Sequence, residues 1–100
     1  MLMEKQKRRD EVEITYDVLK VVKDYGKIRK TRLMQLANLT TNLAKKYLTE
    51  LEKKHLISKD NDGFYFITEK GRELLEKLEI IRKHENEIKN LINEIKKSLR

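Results

Sequence analysis

Apolar residues recur along this chain with two different periods, and the change of period divides it. From Asp10, the residues Ile14, Val18, Val21, Val22 and Tyr25 fall at helical spacing. Asp10 can cap that helix, with Glu11 and Glu13 near its positive end, and Gly26 suits a left-handed stop. Lys27 to Lys30 has room only for a small strand or a loop. Thr31 can cap a second short helix that turns Leu33, Leu36 and Met34 inward, and Asn38-Leu39 makes a tight turn. Thr40 or Thr41 can cap a third helix, running to about Lys54, with Leu43, Tyr47, Leu48 and Leu51 as its buried side. After His55 the period becomes two. Ile57 to Lys59 reads as a strand, Asp60-Asn61-Asp62-Gly63 as the turn, and Phe64 to Ile67 as the returning strand.

Thr68 then caps a long final helix. Its apolar positions are Leu74, Leu78, Ile81, Ile88, Ile92, Ile95 and Leu99, spaced by three and four with one gap at Glu85. That is a heptad seam, which keeps one stripe on one side of a helix. At ~1.5 Å per residue the helix is about 46 Å long, more than so small a globule can cover. The seam therefore calls for a partner, and a second copy of the chain is the simplest one. Leu78, Ile81, Glu85, Ile88, Ile92, Ile95 and Leu99 are the expected dimer contacts. Glu85 has several readings: pairing with Lys83 or Lys89 of the partner, selecting register, or lying wet where the seam opens. Leu75 lies off the seam and is expected on the core, with Ile80 and Leu91 widening the contact.

Two short helices joined by a few residues, the second of them basic, form a helix-turn-helix, and a hairpin directly after it is the wing of a winged helix. The expected architecture is mainly α: three helices plus a β-hairpin wing, then a long C-terminal helix. The expected units are a flexible basic N-terminus over 1–9, a winged helix-turn-helix domain over 10–68 and a dimerisation helix over 69–100. For a domain of about seventy residues, pairing adds stability that a small core supplies only in part.

Charge sharpens this picture. The net charge is +7, yet between Lys27 and Lys54 eight basic residues face only two acidic ones. The final helix carries nine basic and seven acidic residues, close to balance. Positive charge concentrated on a helix-turn-helix points to a polyanion. On a helical wheel Asn42, Lys45, Lys46, Thr49 and Lys53 lie opposite the apolar side of the third helix, with Thr41 at its start. Early residues of such a helix reach base edges first, so Asn42 is the candidate for an adenine contact and the lysines for phosphates. The plainer readings are that Asn42 is a turn residue and the lysines solubilising charge. Arg29, Lys30 and Arg32 sit where a winged helix approaches the backbone. Lys5, Lys7, Arg8 and Arg9 can add a flexible electrostatic contact. Lys59 is the one cation beside a wing tip that carries Asp60 and Asp62, and those two carboxylates argue against a wing deep in the minor groove. Asp60 is instead expected in an Asx-type bond within the turn.

Arg8-Arg9 before Glu13-Ile14, Asp17-Val18-Leu19, Ala44-Lys45-Lys46-Tyr47-Leu48 with Leu51, and Tyr65-Phe66-Ile67-Thr68-Glu69-Lys70-Gly71 form a set of stretches. Together they resemble the archaeal ten-a family of small basic winged-helix chromatin proteins. The resemblance spans about Arg8 to Leu99. The Ile-Thr-Glu-Lys-Gly piece is shared by many archaeal winged helices, whereas the Lys-Tyr-Leu helix with the long terminal helix is more telling. The resemblance implies a dimer through an antiparallel coiled coil and binding of duplex DNA with little sequence preference.

Other functions find less support. The chain has two His, no Cys and three Gly, with no phosphate-binding loop, so neither an enzyme nor a cofactor or small-molecule ligand is expected. His84 is read as a surface residue rather than a metal ligand. Without Cys, a reducing compartment is the default, here the cytoplasm in association with the nucleoid. The longest apolar run, Phe64 to Ile67, is far too short for a membrane span or signal peptide. The alternatives to a chromatin protein are a site-specific regulator and a winged helix that binds protein instead of DNA.

Overall fold

The computed structural model describes residues 9–100. Helix α1 (Glu11–Tyr25) begins with a reciprocal cap. Asp10 Oδ1 accepts from the Glu13 amide at 2.9 Å, and Glu13 Oε1 accepts from the Asp10 amide at 3.3 Å. Its inward side is Ile14, Val18, Leu19 and Val22. Tyr25, expected inside from its spacing, is exposed, and Val21 is only half-buried. Gly26 ends the helix at φ 77°, and Lys27 donates to the Tyr25 carbonyl at 2.8 Å. A side chain would strain that three-residue reversal.

Ile28 is more ordered than a loop residue. It exchanges two backbone hydrogen bonds with Tyr65, at 3.0 and 2.8 Å, and so adds a rung to the wing. Arg29 stays extended after that rung and caps α2 (Lys30–Leu36) without a side-chain bond. The helix thus starts before Thr31, which lies in its first turn rather than at its cap. Leu33 and Ala37 point inward, while Leu36 falls off the edge of that side and is exposed. Asn38 takes φ 55°, a left-handed value that Asn tolerates better than most residues, and Leu39 is buried after it.

Helix α3 (Thr41–Lys53) is capped by Thr40, whose Oγ1 accepts from the Leu43 amide at 3.2 Å. Ala44, Tyr47, Leu48 and Leu51 are buried. Leu43 is half-buried, so Ala44 takes the inward place that its small size had concealed. Strands β1 (Ile57–Lys59) and β2 (Tyr65–Ile67) pair antiparallel, with Ile57 opposite Ile67 and Lys59 opposite Tyr65. Phe64 belongs to the turn. As expected, Asp60 closes it: Oδ1 accepts from the amides of Asp62 at 2.9 Å and Phe64 at 3.0 Å.

Helix α4 (Glu69–Ser98) is capped by Thr68, whose Oγ1 accepts from the Gly71 amide at 3.0 Å. Its first turns bury Gly71, Leu75 and Leu78 against α1 and the wing. Leu75 packs on the core as expected. Leu78, placed in the seam on sequence, is only 8% exposed within its own chain. From Ile80 onward every residue is exposed, and the molecule measures 59 × 28 × 20 Å. Among the described residues, no helix is long and apolar enough to cross a membrane.

Candidate nucleic-acid interface

Burial of Ala44, Tyr47, Leu48 and Leu51 fixes which way α3 turns its other residues. Asn42, Lys45, Lys46, Thr49 and Lys53 are turned to the opposite side, and Thr41 is exposed at the helix start. Lys46 Nζ lies 5.5 Å from the Tyr47 ring. Lys45, Lys46 and Lys53 form no ion pair with the described residues, whereas Lys54 lies 3.8 Å from Glu50. The helix therefore presents three ammonium groups and two short polar side chains, Asn42 and Thr49, from one surface. Such groups suit phosphate contacts and a few contacts to base edges.

At the start of α2, Lys30 and Arg32 are exposed, but Arg29 is engaged. Its guanidinium stacks 4.3 Å from the Phe64 ring centroid and donates to the Asp62 carbonyl at 3.3 Å. Arg29 thus ties the α2 start to the wing tip. Lys59 sits 5.3 Å from the Tyr65 ring on the same hairpin. The wing tip is less acidic than its sequence implies. Lys27 Nζ lies 3.1 Å from Asp60 Oδ2. The Phe64 amide first, then Lys27, hold the Asp60 carboxyl below its ordinary value. That leaves the Asp62 carboxylate as the exposed acid of the turn.

Arg9, assigned with the flexible arm on sequence, is fixed in place. It donates to Asp17 Oδ2 at 2.7 Å, to the Ala37 carbonyl at 2.8 Å and to the Asn38 carbonyl at 2.6 Å. Those carbonyls end α2, so Arg9 supplies the cation that a helix terminus favours and α2 itself lacks. Lys5, Lys7 and Arg8 lie outside the described residues. No periodic signal marks Arg9 or Lys27, because their partners lie as far as 33 positions away along the chain. Of the seam residues, Ile81, Glu85, Ile88, Ile92, Ile95 and Leu99 are exposed, and His84 Nδ1 lies 3.2 Å from Glu87. Among the described residues, no group of three or more His, Asp or Glu is arranged to hold a metal ion.

This order of elements is found in known proteins. Residues 8–86 match the family described as winged helix-turn-helix. The chain belongs to the winged helix-turn-helix family. Among solved structures it is similar to Sso10a-2, a DNA-binding protein from Sulfolobus solfataricus. The identity is 30%, the TM-score 0.73, and the match covers 92% of this chain and 98% of that one. This likeness over nearly the full length of both chains bears out the resemblance to the archaeal ten-a family. The chain is also 34% identical over 74 residues to an uncharacterized HTH-type transcriptional regulator of Methanocaldococcus jannaschii, a match that covers 74% of this chain and 69% of that protein. A second protein of that organism, uncharacterized, is 39% identical over 72 residues. That match takes in 72% of this chain but only 33% of the relative's own length.

Proposed function

We propose that this winged helix-turn-helix protein binds double-stranded DNA as a homodimer, with little sequence preference, as an architectural protein of the nucleoid. The observation that carries the reading is the α3 surface: Lys45, Lys46 and Lys53, exposed and without ion pairs among the described residues, flank Asn42 and Thr49. Lysine ammonium groups act as point charges on phosphate, so affinity is strongly salt-dependent and weakly sequence-dependent. Sso10a-2, similar over its full length, is a DNA-binding protein, which supports the reading. No cofactor, small-molecule ligand or catalytic step is involved.

The bare part of α4 supports dimerisation. Its stripe, Ile81, Glu85, Ile88, Ile92, Ile95 and Leu99, steps by four, three, four, three and four, the same read from either end. An antiparallel copy centred on Asn90 therefore sets Ile81 against the partner's Leu99, Glu85 against the partner's Ile95, and Ile88 against the partner's Ile92. Leu91 then lies beside its own copy across the two-fold. The two Glu85 carboxylates stand about 15 Å apart along the rod at ~1.5 Å per residue. A parallel, in-register pair would instead bury Glu85 against Glu85, where like charges repel. The antiparallel form has a cost of its own at Lys89, which approaches its copy near the axis.

Titrating two unrelated duplexes at several salt concentrations tests the reading. The expected result is similar affinity for both and a steep fall with salt. Failure to bind either duplex at low salt would leave a protein-interaction module as the better account. A second reading, a site-specific regulator, is favoured by the relative named as an HTH-type transcriptional regulator and by Asn42 at the exposed start of α3. Genome-wide occupancy separates the two: broad coverage for an architectural protein, a few promoters for a regulator.

A further inference from the structure

Beside the first bare turn of α4 lies a groove formed with the start of α1. It is lined by Asp10, Val12, Glu13 and Tyr16 from α1 and its cap, and by Leu78, Ile81, Arg82 and Glu85 from α4. Val12 is 51% exposed there, an apolar side chain at the edge of the core. Arg82, beside the seam, rests its guanidinium 4.6 Å from the Tyr16 ring centroid. Three carboxylates therefore surround an apolar floor. Asp10 and Glu13 each commit one oxygen to the helix cap and keep the other.

We propose that this groove seats the last turn of the partner's α4. The proposal rests on the antiparallel dimer described above and adds to it a contact between the rod of one chain and the head of the other. Two observations support this occupant. One is continuity: the register that fills the stripe brings the partner's Leu99 to Ile81, at the mouth of the groove. The other is charge. The last turn of α4 is basic, with Lys96, Lys97 and Arg100 around Leu99, and the groove is acidic. On α4, Leu75, Leu78 and Arg82 mark the side on which α1 packs or approaches. Heptad geometry puts the partner's Lys96 beside Arg82 on that same side, within reach of Glu13 and Glu85. Placement of Arg82 on Tyr16 relieves the repulsion that Lys96 would otherwise meet. Seating a basic turn there fixes the angle between rod and head, and with it the spacing of the two α3 surfaces on DNA.

The chain has no cysteine, so a designed pair reports the contact directly. Val12→Cys with Leu99→Cys is oxidised and run without reductant, next to Leu99→Cys alone. The pair should give a covalent dimer and the single variant a monomer. A covalent dimer from Leu99→Cys alone would place the two chain ends together and overturn the proposal. In parallel, Glu13→Lys should weaken the dimer about tenfold by sedimentation equilibrium, and Lys96→Glu added to it should recover most of that loss. Thermal melts confirm that each variant folds. Wild-type dimer affinity in Glu13→Lys, with no cross-link from the pair, would remove the groove contact while leaving the rod. A wild-type chain that sediments as a monomer would remove the dimer itself.

Discussion

Gly71 lies where the first turn of α4 crosses the start of the wing. A Cβ built there would stand 2.1 Å from the Leu56 carbonyl oxygen and 2.8 Å from Ile67 Cγ1. That carbonyl also accepts from the Thr68 amide and hydroxyl, so it has little freedom to retreat. Gly71→Ala should therefore destabilise the domain by roughly 1–3 kcal/mol, read by denaturant unfolding, despite the better helix propensity of Ala. Arg9 is the second residue whose neighbourhood is tightly determined. Arg9→Ala should cost roughly 1–2 kcal/mol, a figure reduced for its partial exposure. Arg9→Lys should recover little, because one ammonium cannot reproduce a planar fork that reaches a carboxylate and two carbonyls. Thermal melts of the two variants side by side check this.

At the scale of elements, α3 and the wing behave differently. The outward lysines of α3 lie on a helix whose inward side holds it in place, so replacing them leaves the fold intact. Lys45→Ala with Lys46→Ala should lower affinity about equally for different duplexes. It should also flatten the salt slope by roughly 0.9 for each phosphate that is no longer neutralised. A fall on one duplex alone would point to base reading instead. The wing turn is held by Asp60, whose carboxylate is stabilised by the Phe64 amide and by Lys27. Its carboxyl is depressed in the folded state, so its contribution is fully present above the ordinary value of 3.8 and disappears as pH falls through the lower, folded value. The protection of the Phe64 amide, its exchange rate relative to that of an unfolded chain at the same pH, should hold until that acid range and fall within it. In Asp60→Asn the protection should no longer change there.

For the whole molecule, the proposed dimer turns on the exposed stripe of α4. Ile88→Asp with Ile95→Asp should give a folded monomer by ultracentrifugation, because neither side chain belongs to the core cluster. The monomer keeps its α3 surface but loses the second grip, so its affinity for long duplex should fall by roughly 10²-fold or more. An unchanged molecular weight would reject the interface.

Much of this was legible along the chain. The caps at Asp10, Thr40 and Thr68, the Asp60 turn, the strand pair and the long helix depend on residues a few positions apart, and such local preferences survive folding. The outward residues of α3 were equally legible, because one amphipathic helix has only one side to bury. Leu36 and Tyr25 went astray, and Leu43 is buried only in part, for a related reason: period alone marks an apolar side without saying how wide the core beneath it is. Tertiary structure alone decided that Leu78 is spent on its own domain and the bare stripe begins at Ile81. It alone brought Arg9 to the carbonyls that end α2 and Lys27 to Asp60. Those contacts join positions far apart in sequence, so no local pattern encodes them, and they exist only once the core has drawn the elements together.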